Sequence, residues 1–90
     1  MDNDIYPTSD IWIASALHSL GHKVLTVSKA DKYGKRYDFI FDHTDELDED
    51  VVKYMSNELM CQPRDLFESF KKLKSDVFNA KALERMQSGR

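Results

Sequence analysis

Six of the ten side chains in FDHTDELDED, residues 41–50, are carboxylates: Asp42, Asp45, Glu46, Asp48, Glu49 and Asp50. Acids at this density can hold a divalent cation, imitate the phosphates of a nucleic acid, or cover the positive end of a helix. A calcium loop alternates its oxygen ligands, turns on a midway glycine and closes on a glutamate. This stretch has no glycine and a different spacing, so no metal is expected there. Thr44 stands directly before Asp45 and Glu46, and Leu47, Val51, Tyr54 and Met55 follow at helical spacing. A threonine cap with acids in the first turn is the arrangement the helix macrodipole favours. Asp42, Asp45, Asp48 and Glu49 nevertheless fall near one side of that helix start. They form an acidic patch that could meet a protein partner in the way phosphates would.

The opposite charge gathers in KADKYGKR, residues 29–36, with four cations against one acid. Lys29, Lys32, Lys35 and Arg36, with Tyr33 and Tyr37 among them, can touch phosphates and stack on a base. Lys71, Lys72 and Lys74 either extend this patch or form an ordinary wet helix face. Net charge is −3, which argues against a general DNA-coating protein but leaves room for a local basic contact.

Other reactive side chains lack partners at useful spacing. His18 and His22 are four apart, as in a helical zinc pair, but Gly21 stands between them and ends the helix. His43 is the third histidine, and no cysteine pair completes a ligand set. Cys61 is the one cysteine, and it is expected to be half-buried and structural. Glycines at 21, 34 and 89 cannot build a phosphate loop. No nucleophile elbow or acid–base pair appears, so neither catalysis nor a cofactor is expected.

The elements that must position these residues follow from periodicity. Thr8, Ser9 and Asp10 can cap a helix over residues 9–20, with Ile13, Leu17 and Leu20 recurring at helical spacing and Gly21 suited to its end. KVLTVS, residues 23–28, is β-branched and predicts a strand. Tyr37, Phe39 and Phe41 alternate with Asp38, Ile40 and Asp42, which predicts a second strand with one aromatic face. Pro63 suits the first turn of a third helix, whose apolar stripe is Leu66, Phe70, Leu73 and Val77, with Phe67 and Phe78 alongside. The expected fold is α+β: a two-stranded antiparallel β-hairpin packed with three helices, in the order α-β-β-α-α. Residues 1–78 make one small domain, and residues 79–90 a helical extension or frayed tail.

Several strings resemble a small family of unknown function from bacterial and bacteriophage genomes. They are Thr8-Ser9-Asp10, Gly21-His22-Lys23, Phe39-Ile40-Phe41-Asp42 running into Thr44-Asp45-Glu46-Leu47, and Pro63-Arg64-Asp65 before Phe67, Phe70 and Leu73. The resemblance covers about residues 6–78. It implies this fold and a phage or mobile-element setting, and it transfers no catalytic residue.

At 90 residues, 41% apolar and 32% charged, the chain reads as one soluble globular domain. Its longest apolar stretch lies within Ile11–Leu17, far short of the roughly 20 residues of a membrane span. The start, MDNDIYPTSD, lacks the features of a signal peptide, and a single cysteine suits a reducing cytoplasm. The expected function is a non-catalytic protein-interaction module, monomeric or dimeric through its C-terminal helix. The alternative is a nucleic-acid binder that touches phosphates through the hairpin tip, residues 29–37.

Overall fold

The computed structural model describes residues 5–29 and 36–88. Six elements follow in the order β1 (Ile5–Thr8), α1 (Ile11–Ser19), β2 (Val24–Lys29), β3 (Tyr37–Asp42), α2 (Asp45–Met55) and α3 (Pro63–Ser88). The strands form one antiparallel sheet in the order β1-β3-β2. β1 and β2 therefore run parallel to each other on either side of β3, with α1 joining them.

The expected hairpin is the β2–β3 part of this sheet, and the third strand corrects a two-stranded reading. β1 is IYPT, four residues containing a proline. Proline cannot donate to a ladder, which argues against a central strand but is tolerated at an edge. Pro7 sits at such an edge, opposite Ile40. Four residues are also too few for a period of two to stand out.

Helix starts follow the predicted capping chemistry. The Asp10 carboxylate accepts from the backbone N–H groups of Trp12 at 2.9 Å and Ile13 at 3.3 Å. Thr44 Oγ1 accepts from Leu47 N–H at 3.0 Å. Gly21, past the end of α1, has φ 97°, a backbone conformation that costs glycine little.

The core lies between the sheet and the helices. Period two turns Tyr37, Phe39 and Phe41 of β3 to the same face, and all three are buried. Phe39 and Phe41 cluster with Ile13, Ala14 and Leu17 of α1, Leu47 of α2 and Leu73 of α3. Val24 and Val27 pair across from Phe41 and Phe39 and pack at the margin of this cluster. α3 continues unbroken past Phe78 to Ser88, a helix of 26 residues. No described helix is long and apolar enough to cross a membrane.

Candidate functional site

α3 advances by roughly 100° per residue. Phe67, Lys71, Lys74, Phe78, Lys81 and Arg85, spaced alternately by four and three, therefore fall on one line along the helix. All six side chains are exposed, Phe67 to 58% and Phe78 to 69%. Arg64 and Phe70 border the line, and no acid lies within it. The acids of this helix, Asp65, Glu68, Asp76 and Glu84, project from its other sides. Leu73 and Val77 point inward instead, so this flank is left over once the core is satisfied.

Cations and rings interleave along the flank. Lys71 Nζ lies 5.0 Å from the centre of the Phe67 ring, and Lys74 Nζ lies 5.5 Å from that of Phe70. Further along, Lys81 Nζ lies 5.8 Å from the centre of the Tyr37 ring. Trp12, at the start of α1, stacks on Phe70 with centroids 4.5 Å apart and planes 10° from parallel. Trp12 is itself 52% exposed, so it carries the aromatic surface from α3 onto α1. Among the described residues, Arg64, Lys71, Lys74, Lys81 and Arg85 make no ion pair.

The base of the β2–β3 hairpin meets the far end of this flank. Tyr37 O–H donates to Glu84 Oε1 at 2.6 Å, and Lys29 Nζ donates to Glu84 Oε2 at 2.6 Å. The hydrogen bonds from Lys29 and then Tyr37 hold the Glu84 carboxyl below its ordinary range, while the bond to Glu84 pushes the Tyr37 phenol up. Arg36 is exposed and shares a shallow hollow of about 290 Å³ with Lys74, Tyr37 and Val77. The hairpin cations Lys29 and Arg36 thus adjoin the basic flank of α3. Lys32, Tyr33 and Lys35 of the predicted basic tip lie outside the described residues.

The acids occupy the opposite end of β3. Asp42 is exposed at the last residue of the strand, opposite Ile5. Asp45, Glu46 and Asp48 occupy the first turn of α2. Asp48 Oδ1 lies 2.8 Å from His43 Nε2, and Asp50 Oδ2 lies 2.6 Å from His22 Nε2. Asp50 thereby ties α2 to the segment after α1. Glu49 faces solvent.

A family model for a domain of unknown function, DUF5659, matches residues 3–79. The chain belongs to the DUF5659 family. No curated protein and no solved structure matches it. The match contains Trp12 and the flank from Arg64 to Phe78, whereas Lys81, Glu84 and Arg85 lie beyond it.

The remaining reactive side chains of this DUF5659 domain serve the packing of its helices. His18 Nδ1 lies 2.7 Å from Ser69 Oγ. Ser69 is buried in the second turn of α3, so the pair joins α1 to α3. Burial, then the neighbouring Lys72 charge, pushes the His18 imidazole down. His18 and His22 share the wall of an open groove beside β2 but bond to different elements. Among the described residues no three His, Cys, Asp or Glu side chains gather as for a metal. Cys61 is a half-buried free thiol.

Lys72 is separated from the other two lysines of its run. It pairs with Asp76 at 3.0 Å and faces the groove on the opposite side of α3. The four-and-three spacing running on through Lys81 and Arg85 was legible in the sequence. The Trp12–Phe70 stack and the Glu84 clamp carried no local signal, because each joins residues far apart in the chain.

Proposed function

We propose that this DUF5659 domain is a non-catalytic binding module whose ligand is a single strand of nucleic acid, held on the basic and aromatic flank of α3. One observation carries this reading: two exposed rings, Phe67 and Phe78, are interleaved with cations along one acid-free helix face. Ammonium and guanidinium groups neutralise phosphates, and exposed rings give unstacked bases a surface on which to stack. A helix that lies on a membrane separates its cations from its apolar face. Here both kinds of side chain share one face, and Leu73 and Val77 on another side of the helix are committed to the core. Lys29 and Arg36 extend the path toward the base of the hairpin.

The test is fluorescence anisotropy of labelled single-stranded and duplex oligonucleotides at low and physiological salt. Single strands should bind more tightly than duplexes. Affinity should fall with added salt by roughly 0.7 log units per log unit for each phosphate neutralised. Absence of binding at low salt would refute the reading and return attention to a protein partner at the acidic end of β3.

A further inference from the structure

Next to the flank is a cavity of about 420 Å³, walled by Trp12 and Ala16 of α1, Tyr54 of α2, Asn57, Leu59 and Cys61 of the α2–α3 connection, and Leu66 of α3. Its size falls within the range of small-molecule sites, about 300–1,000 Å³. Ala16 is buried at one side, and its small side chain leaves the space that a larger residue would fill.

The lining suits a flat, neutral, edge-polar molecule. No charged side chain contributes to it. Two lining residues are aromatic, and the lining side chains that carry polar groups are those of Tyr54, Asn57 and Cys61. Neither the Tyr54 hydroxyl nor the Asn57 side chain bonds to any described residue. Burial pushes the Tyr54 phenol up, so it keeps its proton and can donate. The Asn57 amide offers both a donor and an acceptor, which matches the edge of a nucleobase. Asn57, just past the Ser56 cap of α2, stands at φ 64°, a conformation that few side chains other than Asn and Asp accept readily.

Trp12 joins the cavity to the flank. It walls the cavity and also stacks on Phe70, over which Lys74 sits. Leu66 in the wall immediately precedes Phe67, over which Lys71 sits. A base in the cavity would therefore have its strand's phosphates beside these two ammonium groups. We infer that the cavity receives one unstacked base of a strand lying on the α3 flank, gripped by Trp12 and Tyr54 and bonded at its edge by Asn57. This inference rests on the proposed function and names the part of the ligand that enters the protein.

The experiment uses the intact protein and two labelled strands of equal length, oligothymidylate and an abasic strand with the same backbone. Trp12 is the one tryptophan, so its emission reports on the cavity wall directly. Alkylation of Cys61, the one cysteine, reports on occupancy. Oligothymidylate should quench Trp12, protect Cys61, and bind about tenfold more tightly than the abasic strand. Asn57→Gly, which the positive φ tolerates and which adds no charge, should lower that preference while leaving abasic binding within about twofold. Equal binding of the two strands with Cys61 unprotected would overturn the inference and reduce the flank reading to its phosphate contacts. Trp12 quenching without protection of Cys61 would likewise overturn it, by placing the bases outside. Failure of both strands to bind would remove the proposed function and this inference together.

Discussion

The two ends of β3 carry opposite charge and use it in opposite ways. At the Asp42 end, three acids cover the first turn of α2, and His43 and His22 engage Asp48 and Asp50. Along the α3 flank, Lys71, Lys74 and Lys81 lie over aromatic rings and form no ion pair with described residues. The acid-rich stretch is conspicuous in the sequence, yet most of its charge is spent on holding the fold. The lysines of α3 are dispersed among other residues, yet their charge is left facing outward. Charge density along a chain therefore does not by itself mark the charge that the fold leaves uncommitted.

The largest effect should come from the outward charge. The triple variant Lys71→Glu, Lys74→Glu and Lys81→Glu should weaken single-strand binding by roughly a hundredfold at low salt and flatten the salt dependence by about 2 log units per log unit. Its stability should remain close to that of the parent, because exposed substitutions of this kind usually cost under about 0.5 kcal/mol each. Anisotropy and thermal melting on the same samples check both halves. A large loss of stability would show that these lysines support the fold, and the contrast between the two ends would disappear.

The inward charge should behave in the reverse way. Thr44→Ala removes the hydroxyl that caps Leu47 N–H. It should cost about 1 kcal/mol and lower Tm by about 4–8 °C for a domain of this size. Single-strand binding should not change at temperatures where the variant is folded. A fall in affinity without a fall in Tm would mean that the acidic end takes part in binding.

A smaller effect should appear with pH. The His18 imidazole is held below its ordinary value, so the folded protein prefers it neutral. Between that lowered value and about pH 6.5, the unfolded chain binds more protons than the folded one. The contribution is present in full above about pH 6.5 and is lost as pH falls toward the folded value. Melting curves between pH 7.5 and 5.0 should therefore show a smaller decline for His18→Gln than for the parent. An equal decline in both would place the pH dependence elsewhere.

Legibility in the sequence followed the range of each interaction. The caps at Asp10 and Thr44, the turn at Gly21 and the aromatic face of β3 rest on neighbours within a few residues, and all were predictable. β1 was missed because its pairing with β3 joins residues more than thirty positions apart, and its four residues include Pro7. Phe67 and Phe78, placed beside the apolar stripe by spacing alone, turn out exposed. Helical spacing gives the order of residues around α3, but only α1 and the sheet decide which side is covered. The Glu84 clamp on Lys29 and Tyr37 depends in the same way on where the helix is laid down.

The smallest predicted effect separates geometry from charge. Lys72 belongs to the same run as Lys71 and Lys74, so a site defined by local charge would include it. In the structure it lies on the groove side of α3, paired with Asp76 four residues on. An exposed pair of this kind contributes about 0.3–0.5 kcal/mol. Lys72→Ala should thus shift Tm by a few degrees at most and leave single-strand affinity within about twofold of the parent. Lys71→Ala removes an equal charge one residue earlier and should weaken binding severalfold. Equal losses for the two variants would mean that the strand responds to the overall charge of α3 rather than to the flank on which the rings lie.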